Sequence, residues 1–103
     1  MKIIKTALNG ICIIKADVFS DERGYFLESY HKEKLKNLGI EAEFYQDNFS
    51  LSAKNVLRGL HFQNPPFEQG KLIKVISGVV LDVVVDIRKS SATYGKNFTI
   101  ELN

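Results

Sequence analysis

Turn-forming residues cut this chain at short intervals, and that punctuation is its strongest structural constraint. The cuts fall at Asn9-Gly10, Asp21-Glu22-Arg23-Gly24, Gly39, Ala53-Lys54-Asn55, Asn64-Pro65-Pro66, Ser77-Gly78 and Tyr94-Gly95. Between them lie brief runs rich in β-branched and aromatic residues, the pattern of a sandwich or barrel. Ile11–Ile14, Tyr25–Tyr30, Glu43–Leu51, Val56–Gln63, Lys71–Ile76, Val79–Ile87 and Phe98–Leu102 read as strands. The tandem prolines Pro65-Pro66 belong to a loop, because proline cannot donate to a central ladder. One helix is expected, from His31 to Leu38, where strong helix formers are followed by Gly39 in the position of a C-terminal cap.

The run Val79–Ile87 alternates. Leu81, Val83, Val85 and Ile87 share one face, and Asp82, Val84, Asp86 and Arg88 the other, since strand side chains alternate with period two. The polar face meets either solvent or a polar barrel interior, and the residues alone slightly favour solvent.

A length of 103 residues suits one domain, spanning 1–103, and 45% apolar with 25% charged residues is a globular balance. The net charge of +2 is scattered along the chain. Nucleic acid would favour a clustered basic stripe, so none is expected as a partner. Cys12 is the single cysteine. It permits no intrachain disulfide, fits a reducing compartment, and reads as a small buried hydrophobe. Lys5, Asn9 and Lys15 interrupt the N-terminal apolar residues before a signal-peptide core can form. No stretch has the length and apolarity of a membrane span, so a cytoplasmic protein is expected.

Chemistry-bearing residues crowd between Gln46 and Lys71: Gln46-Asp47-Asn48, then Arg58-Gly59-Leu60-His61-Phe62-Gln63, then Pro65-Pro66, then Gln69-Gly70-Lys71. Strand alternation places His61 on one face with Gly59, which leaves room there for a ligand. Histidine is the usual general base near neutral pH, and a lysine head in a cleft stabilises an oxyanion. Together they could remove a proton α to a carbonyl without an organic cofactor. The plainer reading stands beside it: a strand histidine is more often structural, and strand lysines are mostly solvated. A cupin-type metal site needs a His-x-His pair, whereas the chain has His61-Phe62-Gln63, with its other histidine, His31, on the helix. No metal and no cofactor is therefore expected.

Taken in order, these motifs resemble the dTDP-4-dehydrorhamnose 3,5-epimerase family. The resemblance is carried by Asp21–Glu28, Gln46–Ser50, Val56–Gln63, Gln69–Leu72, Gly78–Arg88 and Ser90–Gly95, in the family's order and spacing. It implies an all-β, cupin-like jelly roll (a double-stranded β-helix) of antiparallel strands with one short helix. This chain would form its N-terminal part, the C-terminal part being absent. It implies a homodimer that exchanges N-terminal strands, and it favours a lined cavity for Asp82. The implied reaction inverts C3 and C5 of dTDP-4-dehydro-6-deoxy-D-glucose, giving dTDP-4-dehydro-L-rhamnose for carbohydrate and cell-envelope biosynthesis.

Carried onto matching positions, His61 would be the base and Lys71 the stabiliser of the enolate oxygen. Arg58 would contact the pyrophosphate or sugar, where a guanidinium fork suits phosphate oxygens. Gln46, Asp47 and Asn48 would hydrogen-bond substrate. Arg23, Phe26 and Glu28 would bind nucleotide from the partner subunit. Read plainly, Phe26 is a core aromatic and Glu28 a solvated strand residue. Family members are considerably longer. None of Tyr25, Tyr30, Tyr45 and Tyr94 lies in the motif of the family's opposite-face acid, and neither Asp82 nor Asp86 stands where the histidine's aspartate partner would. The expectation is an epimerase by family and an inactive fragment by itself. A related 3- or 5-epimerase and a non-catalytic nucleotide-binding fragment are the alternatives.

Overall fold

The N-terminal apolar residues form a hairpin in the computed structural model, which describes all 103 residues. β1 (Lys2–Lys5) pairs antiparallel with β2 (Cys12–Lys15), setting Ile3 opposite Ile14 and Ile4 opposite Ile13. Cross-strand pairs of β-branched residues are the stabilising unit of such a ladder. In the connecting loop the Thr6 hydroxyl lies 3.1 Å from the Leu8 carbonyl and 3.0 Å from that of Ile11. Leu8, at 3% exposure, is one of two buried apolar residues. Two expectations change here. β1 lies outside the expected strands, because lysines flank its two isoleucines. Cys12 is exposed rather than buried, because it ends a two-stranded ribbon that no second layer covers.

The second hairpin joins β3 (Val18–Asp21) to β4 (Gly24–Leu27). Asp21 Oδ1 accepts the Arg23 backbone N–H at 2.9 Å, the side-chain mimic of a turn that makes aspartate a turn former. Gly24 follows at φ +130°, a conformation that L side chains rarely adopt. The ladder stops at Leu27, short of the expected Tyr30.

Helix α1 (Lys32–Asn37) lies inside the expected span, with His31 as N-cap and Leu38 as C-cap. Gly39, at φ +88°, closes it. The Ile40 N–H reaches the Leu35 carbonyl at 2.9 Å and the Gly39 N–H reaches the Lys36 carbonyl at 2.9 Å. These are the two bonds of a Schellman cap, which satisfy carbonyls that a helix end would otherwise orphan. Leu35, 2% exposed, is the most deeply buried side chain. Ion pairs tie the helix to both flanks: Lys34 to Glu28 at 2.7 Å, and Lys32 to Glu43 at 2.6 Å. Beyond it, Tyr30 and Phe44 meet edge to face with centroids 6.0 Å apart, a favoured aromatic geometry.

The third hairpin pairs β5 (Val80–Val85) with β6 (Asn97–Leu102). Its register sets Asp82 opposite Ile100 and Val84 opposite Phe98. The face carrying Asp82, Val84 and Asp86 is the more covered one, whereas Leu81 and Val83 on the other face are exposed. This reverses the slight preference for solvent on the polar face. The reason lies in β6: its apolar residues Phe98, Ile100 and Leu102 share the side of Asp82 and Val84.

Three expected strands form no ladder. Between Glu41 and Val79 the backbone makes turns at Ala53–Val56 and Asn64–Phe67, but Glu43–Leu51, Val56–Gln63 and Lys71–Ile76 pair with nothing. Side-chain alternation marks a segment as able to enter a sheet; the ladder exists only when a neighbour supplies its N–H and C=O partners. The shape agrees with this. The radius of gyration is 15.4 Å, against about 13 Å for a closed domain of this length. Only three residues are buried, Leu8, Leu35 and Asp86.

Candidate active site

The expected site residues occupy two regions. Arg23 and Phe26 sit on the β3–β4 hairpin, with Glu28 just beyond it; Gln46, Asp47, Asn48, Arg58, His61 and Lys71 lie in the unladdered middle segment. Local partners already hold several of them. Arg23 grips Asp21 through Nε at 3.2 Å and Nη2 at 2.6 Å. That pairing holds the Asp21 carboxyl below its usual range and raises Arg23. Glu28 is likewise lowered by its bond to Lys34. Phe26 stands opposite Phe19, with both rings exposed, so it is not the core aromatic of the plainer reading.

In the middle segment, Gln46 Nε2 donates to Asn48 Oδ1 at 3.2 Å. The two amides are joined across Asp47. Arg58 turns back on its own loop: Nε donates to Ser52 Oγ at 2.9 Å, and Nη2 to the Leu51 carbonyl at 3.3 Å. This fastens the turn in which Asn55 takes φ 66°. His61 and Lys71 are exposed and take part in none of the ion pairs. His61 and Gly59 do lie side by side. The space above Gly59 is filled by the His61 ring itself, however: a Cβ built on Gly59 would come 3.1 Å from His61 Cδ2. The expected room for a ligand at that position is therefore room for the imidazole.

The polar cluster richest in hydrogen bonds lies elsewhere, and the sequence shows it only in part. Asp86 is the sole buried charged residue, at 5% exposure. Its Oδ1 accepts from Arg88 Nε at 2.9 Å and from the Arg88 backbone N–H at 3.0 Å. Its Oδ2 accepts from Arg88 Nη2 at 2.8 Å, Ser91 Oγ at 2.5 Å and Thr93 Oγ1 at 2.7 Å. Arg88, then the two hydroxyls, hold the Asp86 carboxyl far below the usual carboxylate range. Arg88 also donates to the Asn9 carbonyl at 2.8 Å, which pins the β1–β2 loop against the β5–β6 loop. The spacing Asp-x-Arg-x-x-Ser-x-Thr was the available signal. A cavity of about 350 Å³ opens beside this cluster, lined by Ala7, Asn9, Arg88 and Ser90–Thr93. None of the expected site residues borders it, so the network reads as an anchor for the loops. No group of three His, Cys, Asp or Glu side chains is placed to hold a metal ion.

The sequence profile of dTDP-4-dehydrorhamnose 3,5-epimerase matches residues 5–103. A dTDP-4-dehydrorhamnose 3,5-epimerase of Shigella flexneri is 48% identical over 104 aligned positions, covering 100% of this chain and 58% of that protein. The chain thus spans about half the length of the curated relatives it matches. The backbone superposes on the crystal structure of the Bacillus anthracis enzyme with TDP and PPi bound, at a TM-score of 0.94 and 43% identity, over 98% of this chain and 58% of that one. It also superposes on the Legionella pneumophila enzyme in complex with dTDP-4-keto-L-rhamnose, at a TM-score of 0.90 and 46% identity, over 98% of this chain and 54% of that one. The antiparallel hairpins and single helix are those of a cupin-like jelly roll.

Proposed function

Because the chain belongs to the dTDP-4-dehydrorhamnose 3,5-epimerase family, we propose that it carries the base and the oxyanion-stabilising cation of a cofactor-independent nucleotide-sugar epimerase. The substrate is dTDP-4-dehydro-6-deoxy-D-glucose and the product dTDP-4-dehydro-L-rhamnose. The observation that carries this reading is the fit of 98% of the chain to an enzyme holding dTDP-4-keto-L-rhamnose, at 46% identity.

Both C3 and C5 flank the C4 ketone, so loss of either proton leaves an enolate whose charge rests on the C4 oxygen. His61 takes the proton as general base. The Lys71 ammonium stabilises the oxygen as charge develops on it. Return of a proton to the opposite face inverts the carbon, and the acid that delivers it is none of the four tyrosines in this chain. Arg58 binds the pyrophosphate or sugar from a fork already oriented by Ser52, and Gln46, Asp47 and Asn48 bind the substrate's polar groups. Arg23, Phe26 and Glu28 bind nucleotide across a homodimer interface, where exchanged N-terminal strands join the copies. The unpaired outer edges of the β1–β2 hairpin support that exchange, since a free ladder edge templates pairing. The lone Cys12 agrees with a cytoplasmic setting. No helix is long and apolar enough to cross a membrane.

By itself the 103-residue chain is inactive. Its exposed His61 and Lys71 support this, since electrostatic stabilisation of an enolate needs a site from which water is excluded. The test is solvent deuterium incorporation, followed by NMR, with dTDP-4-dehydro-6-deoxy-D-glucose in D₂O. The full-length gene product exchanges C3 and C5 protons, and its His61→Ala variant does not. Absence of exchange by the unmodified protein would overturn the reading, and exchange at one carbon would make it a mono-epimerase.

A further inference from the structure

Gly59 is unlike the other glycines. Five of the seven have open space where a side chain would go, and Gly10 would make only an ordinary contact with Arg88. At Gly59 a Cβ would meet His61 Cδ2 at 3.1 Å, the His61 backbone nitrogen at 3.6 Å and Nε2 at 3.7 Å. The Cδ2–Nε2 edge of the imidazole therefore rests on the bare Cα of residue 59. The backbone there holds φ +107°, outside the regions open to L side chains. Two features favour glycine at this position: the conformation of the chain, and the seat of the ring, which a Cβ would push by a few tenths of an ångström.

We infer that Gly59 is a positioning residue for His61: its missing side chain sets the orientation of the imidazole edge, and a Cβ there displaces the ring by a few tenths of an ångström. The inference rests on the proposed role of His61 as base. General-base catalysis depends on placing one nitrogen within hydrogen-bond reach of the proton it abstracts. No other side chain hydrogen-bonds the ring among the bonds of this chain, so the backbone beneath it is the constraint that the structure supplies.

The test is Gly59→Ala in the full-length gene product, with Gly39→Ala as a control. Gly39 has a positive φ of +88° but nothing within 4 Å of its would-be Cβ, so its variant carries backbone strain without a ring contact. Gly59→Ala should lower kcat by roughly tenfold with KM unchanged, below the about 100-fold of a 1 Å misplacement, because the ring moves by only a few tenths of an ångström. The His61 imidazole NMR signals should shift, and Gly39→Ala should leave kcat and those signals as they were. Unchanged imidazole signals or an unchanged kcat in Gly59→Ala would overturn the inference. If Gly59→Ala does not fold, nuclear Overhauser contacts between the His61 ring proton on Cδ2 and the Gly59 α-protons in the unmodified protein decide instead: their presence sustains the inference, and their absence overturns it. Loss of the proposed function is distinguishable: the unmodified protein would then show no proton exchange, while the imidazole signals would still report the contact.

Discussion

Removing the Ser91 hydroxyl should loosen the loop that joins β5 to β6. Ser91 Oγ donates to Asp86 Oδ2 at 2.5 Å and accepts the Thr93 backbone N–H at 3.2 Å. A hydrogen bond to a charged group contributes about 1.5–3 kcal/mol. Here the lower end applies, because Oδ2 already receives Arg88 and Thr93 and a carboxylate oxygen has two lone-pair directions. With the neutral bond to Thr93 also lost, Ser91→Ala should destabilise the protein by roughly 2 kcal/mol. For a protein of the relatives' length, of which this chain spans about half, that corresponds to a fall in Tm of roughly 4–8 °C. The assay is urea unfolding of the full-length gene product followed by circular dichroism, with the midpoint lowered and the m-value unchanged. Ser90→Ala is the control: Ser90 is exposed, and its loss should stay within about 0.5 kcal/mol. If Ser91→Ala matched Ser90→Ala, the Asp86 cluster would be a surface arrangement without structural weight, and the reasoning would be refuted.

The same cluster gives stability a pH dependence with a definite sign. Hydrogen bonds from Arg88, Ser91 and Thr93 depress the Asp86 carboxyl in the folded state. Its contribution is present above the unfolded value of about 3.9 and is lost as pH falls from there towards the depressed folded value; acid titration of Asp86→Asn should show a flatter limb than the unmodified protein. Gly39→Ala should cost roughly 1–2 kcal/mol by denaturant unfolding, the penalty of a left-handed residue with a Cβ. Its side-chain position is open, so steric overlap adds nothing, and a neutral result would refute the Schellman assignment. Leu35→Ala should cost about 2–5 kcal/mol, because this is the most deeply buried side chain; a smaller effect would show that α1 is not an organising element.

What the sequence determined by itself was local chemistry. Asp21 and Gly24 specify a turn because an aspartate side chain imitates a backbone acceptor and glycine tolerates φ +130°. Lys32–Asn37 followed by Gly39 specifies a capped helix for similarly local reasons. The alternation of Val79–Ile87 announced β5, and the motif from Arg58 to Gln63 placed Gly59 beside His61 within a few residues of chain. Tertiary structure decided everything that depends on a neighbour distant in sequence. β1 exists because Ile13 and Ile14 lie opposite Ile4 and Ile3, which lysine-flanked isoleucines could not announce. The covered side of β5 was settled by Phe98, Ile100 and Leu102 across the ladder, and Asp86 is buried against Arg88, Ser91 and Thr93, with Arg88 reaching over to the Asn9 carbonyl. Conversely, Glu43–Leu51, Val56–Gln63 and Lys71–Ile76 have strand patterning without a ladder. Side-chain periodicity is written along one chain, but a ladder's hydrogen bonds must be supplied by another strand, and no local pattern determines where that strand lies.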